Sequence, residues 1–273
     1  MNPTQLDDLR RAVRLLERPS LGARIASYVG TPVERAIDML PAKARETIGN
    51  ATHKAIRAAL RVAIKSLRQD GSTPRASSDW RHMIAAAAAG AGGGAFGLPA
   101  LAIELPVSTT IIMRSIADVA RSEGADLDDV QTQLECVQVL AMGGAARSDD
   151  ASEIGYFLAR DAFARAIGAA TAHIAKKGFD LHGAPVLVKL IVKIAERYSI
   201  AVTQKAAAQL LPVAGAIGGA AINTIFIDHF QDVARGHFIV RRLERELGAD
   251  TVRARYLALA QSLQDESRAS RPA

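Results

Sequence analysis

Two long stretches of this 273-residue chain carry no charge, and they limit its fold more than any other feature: Met83 to Ile103 and Ala206 to Ile227. Each reaches the length of a membrane span. Each is also broken from within, the first by GAGGG at 90–94, Gly97 and Pro99, the second by Pro212, Gly215, Gly218 and Gly219. Segments of this kind must be buried, in lipid or in a protein core. Alanine is barely apolar enough for lipid, and mean hydropathy is only slightly positive. Small residues instead let helices approach closely, so the expectation is two Gly/Ala-rich apolar helical hairpins inside a core.

The remainder reads as helix. Aromatics are 4% of the residues, and alternating β-branched and polar residues are hard to find, so the spacing predicts an all-α, multi-helix bundle without strands. Leu6, Leu9, Val13 and Leu16 repeat at helical spacing until Pro19, Pro32 can open a second helix and Pro41 restarts it. A continuous pattern runs from Ala42 to about Arg68, followed by GSTPRASSD at 71–79, in which Asp79 is a fair N-cap. Asp128 is expected to cap a helix to Arg147, Ser152 one to Lys177, Pro185 one to Leu211, and Asp250 a last short helix after Gly248. The expected organisation is an N-terminal helix over 1–19, one domain over 20–263 and a disordered tail over 264–273.

Charge is unevenly distributed. The net +6 conceals fifteen Lys/Arg against eight Asp/Glu in residues 1–82 and three against nine in residues 83–150. A basic region of this kind suits an anionic partner. Within it, Lys54, Arg57, Arg61, Lys65 and Arg68 follow at spacings of three, four, four and three, which stacks five cations on one helix face. No acid interrupts them between Glu46 and Asp70. The expected partner is an anionic membrane surface or lipid; nucleic acid is the weaker competitor, because no binding motif or interleaved aromatics accompany the cations.

Chemistry-bearing motifs are sparse. The single Cys136 excludes an internal disulfide or cysteine-rich zinc site, and its neighbours Leu134, Val137 and Leu140 mark a buried thiol. Gly92, Gly94 and Gly97 match G-x-G-x-x-G but follow a helix, with no Walker lysine, which favours a tight bend over a nucleotide site. Two polar groups flank the uncharged runs: Glu104, Ser108, Thr109, Thr110 and Arg114 in the first, His229, Asp232, His237 and Arg241 in the second. A charge on an apolar helix face needs a partner, so these are expected to meet in one cluster. His229 and Asp232, three residues apart, could form half of a metal site completed by Glu104 or Glu196, although a packing network is the better expectation. No nucleophile elbow or other complete catalytic motif is present. No metal or cofactor is expected. Asp7 and Asp8 stand where a secretory signal would be apolar, pointing to the cytosol.

On these same residues the chain resembles the EcsC protein family. The run LPVAGAIGGAAINTIFIDHFQDVARGHFIVRRLER at 211–245 resembles that family's carboxy-terminal signature, and GLPALAIELPVSTTIIMRSIADVARSEGADL at 97–127 its central one. The resemblance implies a bacterial protein with a membrane-linked role, some members being encoded beside parts of an ABC transporter, and it supplies no catalytic residues. The leading expectation is a helical protein, peripheral on the inner face of the cell membrane, that binds a lipid-like apolar ligand or the anionic bilayer surface. A metal- or carboxylate-dependent hydrolase around His229 and Asp232 is the alternative. A scaffold docking on a membrane transporter or protease is the third.

Overall fold

The apolar spacing is realised as helix. The computed structural model describes residues 1–17, 19–30, 32–66, 98–144, 155–181, 184–209 and 216–269. Among these residues there are ten helices and no strand: α1 (Pro3–Leu16), α2 (Leu21–Val29), α3 (Val33–Asp38), α4 (Ala42–Ser66), α5 (Leu98–Ser122), α6 (Val130–Gly143), α7 (Gly155–Lys177), α8 (Pro185–Gln209), α9 (Ala216–Leu247) and α10 (Ala249–Ala269). The expected all-α, multi-helix class is what the chain adopts.

Helix starts follow local chemistry. Asn2 and Gln5 close a reciprocal capping box on α1, the Asn2 side chain accepting from the Gln5 N–H at 2.8 Å and the Gln5 side chain from the Asn2 N–H at 2.9 Å. Pro19 breaks the chain before Ser20, the N-cap of α2; Pro32 precedes α3, Pro41 precedes α4 and Pro185 opens α8. The cap of α6 falls one residue beyond the expected one. Asp129 accepts from the Thr132 N–H at 2.9 Å, while the N–H of Asp128 is held by the Asp126 carboxylate at 2.9 Å, tightening the turn before the helix. The helix ends at Gly143, short of Arg147. Asp250 lies in the first turn of α10 and is not its cap. That last helix is not short: it runs to Ala269, so residues 264–269, expected to belong to a disordered tail, continue the helix. Only Gly248 separates α9 from α10, at φ +87°, a left-handed conformation that glycine reaches without steric cost. The GAGGG bend and the caps at Asp79 and Ser152 lie outside the described residues.

Two helices organise the core. Every residue of α6 from Gln133 to Gly143 is buried, and the long α9 packs against α1, α2, α5, α6, α8 and α10. The α4 and α5 helices pack along each other, with α4 also against α6 and α8. Leu9, Ala12 and Val13 of α1 belong to the same buried core as the other helices. Small residues permit the closest crossings: a Cβ on Gly143 would strike the Phe230 ring, one on Gly144 the Arg197 carbonyl, and one on Gly236 would lie 2.6 Å from Leu16 Cγ.

Of the second uncharged run, Ala206, Ala207 and Ala208 on α8 and Ile222, Phe226 and Ile227 on α9 are wholly buried in protein. Most of the first run is outside the described residues; its last residue, Ile103, is 76% exposed. No helix among the described residues is long and apolar enough to cross a membrane.

Candidate functional site

The exposed strip of α4 is the most extensive charged surface that the sequence anticipated. Most of this helix faces the core, with Ile48, Ala51, Ala55, Ala59, Leu60 and Ala63 each no more than 1% exposed. At 3.6 residues per turn, Lys43, Asn50, Lys54, Arg57, Arg61 and Lys65 fall within about 80° of arc. All six are exposed. From Lys43 to Lys65 the strip extends about 33 Å at 1.5 Å per residue. Glu46 stands at its edge. Lys54, Arg57 and Arg61 form no ion pair among the described residues, and Lys65 meets only the ring of Phe179, 6.0 Å from its centroid. Arg68 lies outside the described residues.

The polar residues beside the two uncharged runs take separate hydrogen-bond and ion-pair partners. Glu104 is buried on α5 and pairs at 2.6 Å with Lys205 Nζ of α8, which is wholly buried and stands 5.1 Å from the centroid of the Phe226 ring. Ser108 hydrogen-bonds within its own helix, donating to the Leu105 carbonyl at 3.2 Å. Arg114 is exposed. His229 Nε2 donates to the Gly143 carbonyl at 2.8 Å. Asp232 and Asp228 both receive Arg24 of α2, Asp232 at 3.3 Å. His237 is wholly buried, with Nδ1 2.9 Å from the Tyr156 hydroxyl. No hydrogen bond or ion pair among the described residues joins Glu104 or Arg114 to His229, Asp232 or His237.

Arg241 leads into a second network that the sequence did not reveal. Its guanidinium donates to Glu135 of α6 at 2.8 and 3.1 Å and to Glu244 at 2.9 Å. Glu244 also accepts from Arg160 at 2.7 Å, and Arg160 covers the rings of Tyr156 and Phe157 at 5.7 and 4.9 Å. Tyr256 of α10 stacks on Tyr156, centroids 5.6 Å apart, and donates to Glu17 at 3.0 Å. Arg241–Glu244 and the contacts of Arg160 with Tyr156 and Phe157 are local. The links between helices, Arg241–Glu135, Arg160–Glu244, Tyr156–His237 and Tyr256–Glu17, join residues 80 or more apart in sequence, which no local spacing signals. Lys205 was more accessible to sequence reasoning. It is the last charge before the second uncharged run, as Glu104 is the first charge after the first.

Electrostatics favours structural roles for the buried groups. Burial pushes His229 down to about 4, with Arg24 acting in the same direction against the support of the Gly143 carbonyl. Burial, then Arg160 and Arg241, push His237 well below the ordinary histidine value. Its Nε2 has no hydrogen-bond partner among the described residues. Burial raises the Cys136 thiol, so it supplies no thiolate, and burial also raises Tyr156. Among the described residues, no three His, Cys, Asp or Glu side chains are placed to hold a metal ion. The cation held by Asp228 and Asp232 is the Arg24 guanidinium. The metal-dependent form of the hydrolase alternative therefore finds no three-ligand set among the described residues.

No curated protein and no solved structure matches the chain. The sequence model of the EcsC protein family matches residues 4–243, from α1 through nearly all of α9. The chain belongs to the EcsC protein family.

Proposed function

We propose that the protein binds reversibly to the anionic surface of a bilayer, on its cytoplasmic side, and that the exposed strip of α4 makes the contact. The observation carrying this reading is the set Lys54, Arg57, Arg61 and Lys65: four exposed cations on one face, none committed to an internal acid. At about 1 kcal/mol per cation near an anionic surface, the four supply about 4 kcal/mol, or about a thousandfold enrichment at the surface. That magnitude suits reversible attachment and is too small for permanent anchoring.

Co-sedimentation of the purified chain with vesicles tests the reading. Vesicles of phosphatidylcholine with phosphatidylglycerol should retain the protein at low salt and release it as added salt shortens the screening length from about 30 Å at 0.01 M to about 8 Å at 0.15 M. Equal retention by pure phosphatidylcholine vesicles, or retention that salt does not alter, would overturn it.

A further inference from the structure

The basic surface does not end with α4. Lys65 Nζ lies 6.0 Å from the centroid of Phe179, which follows the last turn of α7. Phe179 is half-buried against the core, so its position fixes where α7 ends relative to Lys65. That end is formed by Gly178, at φ +73°, whose N–H returns to the Ile174 carbonyl at 2.9 Å. Immediately before it, Lys176 and Lys177 are both exposed and form no ion pair among the described residues. The neighbouring acid, Asp180, has an interaction of its own. The end of α7, which carries these two cations, thus lies beside Lys65 through Phe179.

We infer that Lys176 and Lys177 at the end of α7 are part of the same bilayer-binding surface as Arg61 and Lys65, with the Phe179 ring between them at the headgroup boundary. This rests on the reading above and adds a second element to it. A single helical strip is a line and leaves the protein free to rotate about it; a second set of cations on another helix fixes a plane. A half-buried phenylalanine beside exposed lysines suits the boundary between headgroups and acyl chains, where interfacial elements place apolar rings below their cations. The bilayer is preferred to nucleic acid as occupant because this corner offers one aromatic and no row of rings on which bases could stack.

The test compares the full-length wild type with Lys176→Gln/Lys177→Gln and with Lys54→Gln/Arg57→Gln on phosphatidylcholine vesicles containing phosphatidylglycerol. Each neutralised cation should weaken partitioning about fivefold, so each double variant should bind about 25-fold more weakly than wild type. Lys176→Arg/Lys177→Arg keeps the charge and should restore binding, while thermal melts confirm that all variants fold. If Lys54→Gln/Arg57→Gln weakens binding and Lys176→Gln/Lys177→Gln does not, the two lysines serve only the negative end of the helix. The inference then fails and the reading stands. If the wild type shows no preference for anionic vesicles, the reading fails and the inference with it. If the wild type prefers a short DNA duplex to the vesicles and both double variants lose that binding, the partner is nucleic acid and the inference is overturned.

Discussion

Removing one member of the Glu104–Lys205 pair should destabilise the fold far more than removing a surface pair. The two side chains are 7% and 0% exposed and stand 2.6 Å apart between α5 and α8. Glu104→Leu leaves the Lys205 ammonium wholly buried, with the Phe226 ring as its remaining contact. Breaking a buried pair from one side costs about 3–5 kcal/mol, because the surviving charge has lost its hydration without compensation. For a domain of this size, that loss lowers the melting temperature by on the order of 10 °C. Glu104→Leu/Lys205→Met removes both charges and should recover most of the loss, giving a coupling of about 2 kcal/mol or more in a double-mutant cycle. The control is Asp7–Arg10, 73% and 45% exposed, where Arg10→Ala should cost about 0.5 kcal/mol or less. Urea unfolding of the four-member cycle provides the measurement. A cost below about 1 kcal/mol for Glu104→Leu, or strictly additive single effects, would refute the dependence of the core on this pair.

Three further outcomes are expected from the same geometry. His229 stays neutral in the folded chain down to about pH 4, whereas the unfolded chain protonates it near 6.5, so the stability from this residue is complete above pH 6.5 and declines as pH falls toward 4. Wild type should lose about 2 kcal/mol at pH 5 from this residue, with His237 acting in the same direction; His229→Gln, which retains a donor for the Gly143 carbonyl, should lose correspondingly less in urea titrations at pH 7.5 and 5. Gly144→Ala would force a Cβ into the Arg197 carbonyl and should cost about 3 kcal/mol, whereas Gly49→Ala on α4 meets only open space and should stabilise by about 0.5–1 kcal/mol, both read from thermal melts. In cell fractionation the chain should leave the membrane pellet on a high-salt wash without detergent; retention after high-salt and alkaline washing would mean that the uncharged runs enter the bilayer.

The parts of this structure most legible in the sequence are those fixed by local constraints. Pro19, Pro41 and Pro185 mark helix boundaries because proline sets φ and lacks an N–H wherever it occurs. The α4 strip was equally legible, since a pattern repeated over several turns fixes which side chains share a face without reference to the rest of the fold. The polar cluster was not. Glu104 did require a partner from beside the other uncharged run, as its burial cost demanded, but that partner is Lys205 and not the histidines. His229 and Asp232 share a helix face three residues apart, yet one turns to the Gly143 carbonyl and the other to Arg24. Periodicity orders residues around a helix but does not say which neighbouring helix each will meet. The Asp128 cap differed from expectation because consecutive polar residues at a helix start compete for the same backbone donors, and Asp250 falls inside its helix because α10 begins at Ala249, directly after Gly248.

Reversal of charge on the α4 strip tests the central claim most directly. Lys54→Glu/Arg57→Glu/Arg61→Glu alters three exposed positions, so the melting temperature should stay close to that of the wild type. On vesicles of phosphatidylcholine with phosphatidylglycerol at low salt, wild type should sediment with the vesicles and the folded triple variant should remain in the supernatant. A triple variant that keeps the wild-type melting temperature and still partitions as the wild type does would contradict the assignment of α4 as the bilayer-binding surface.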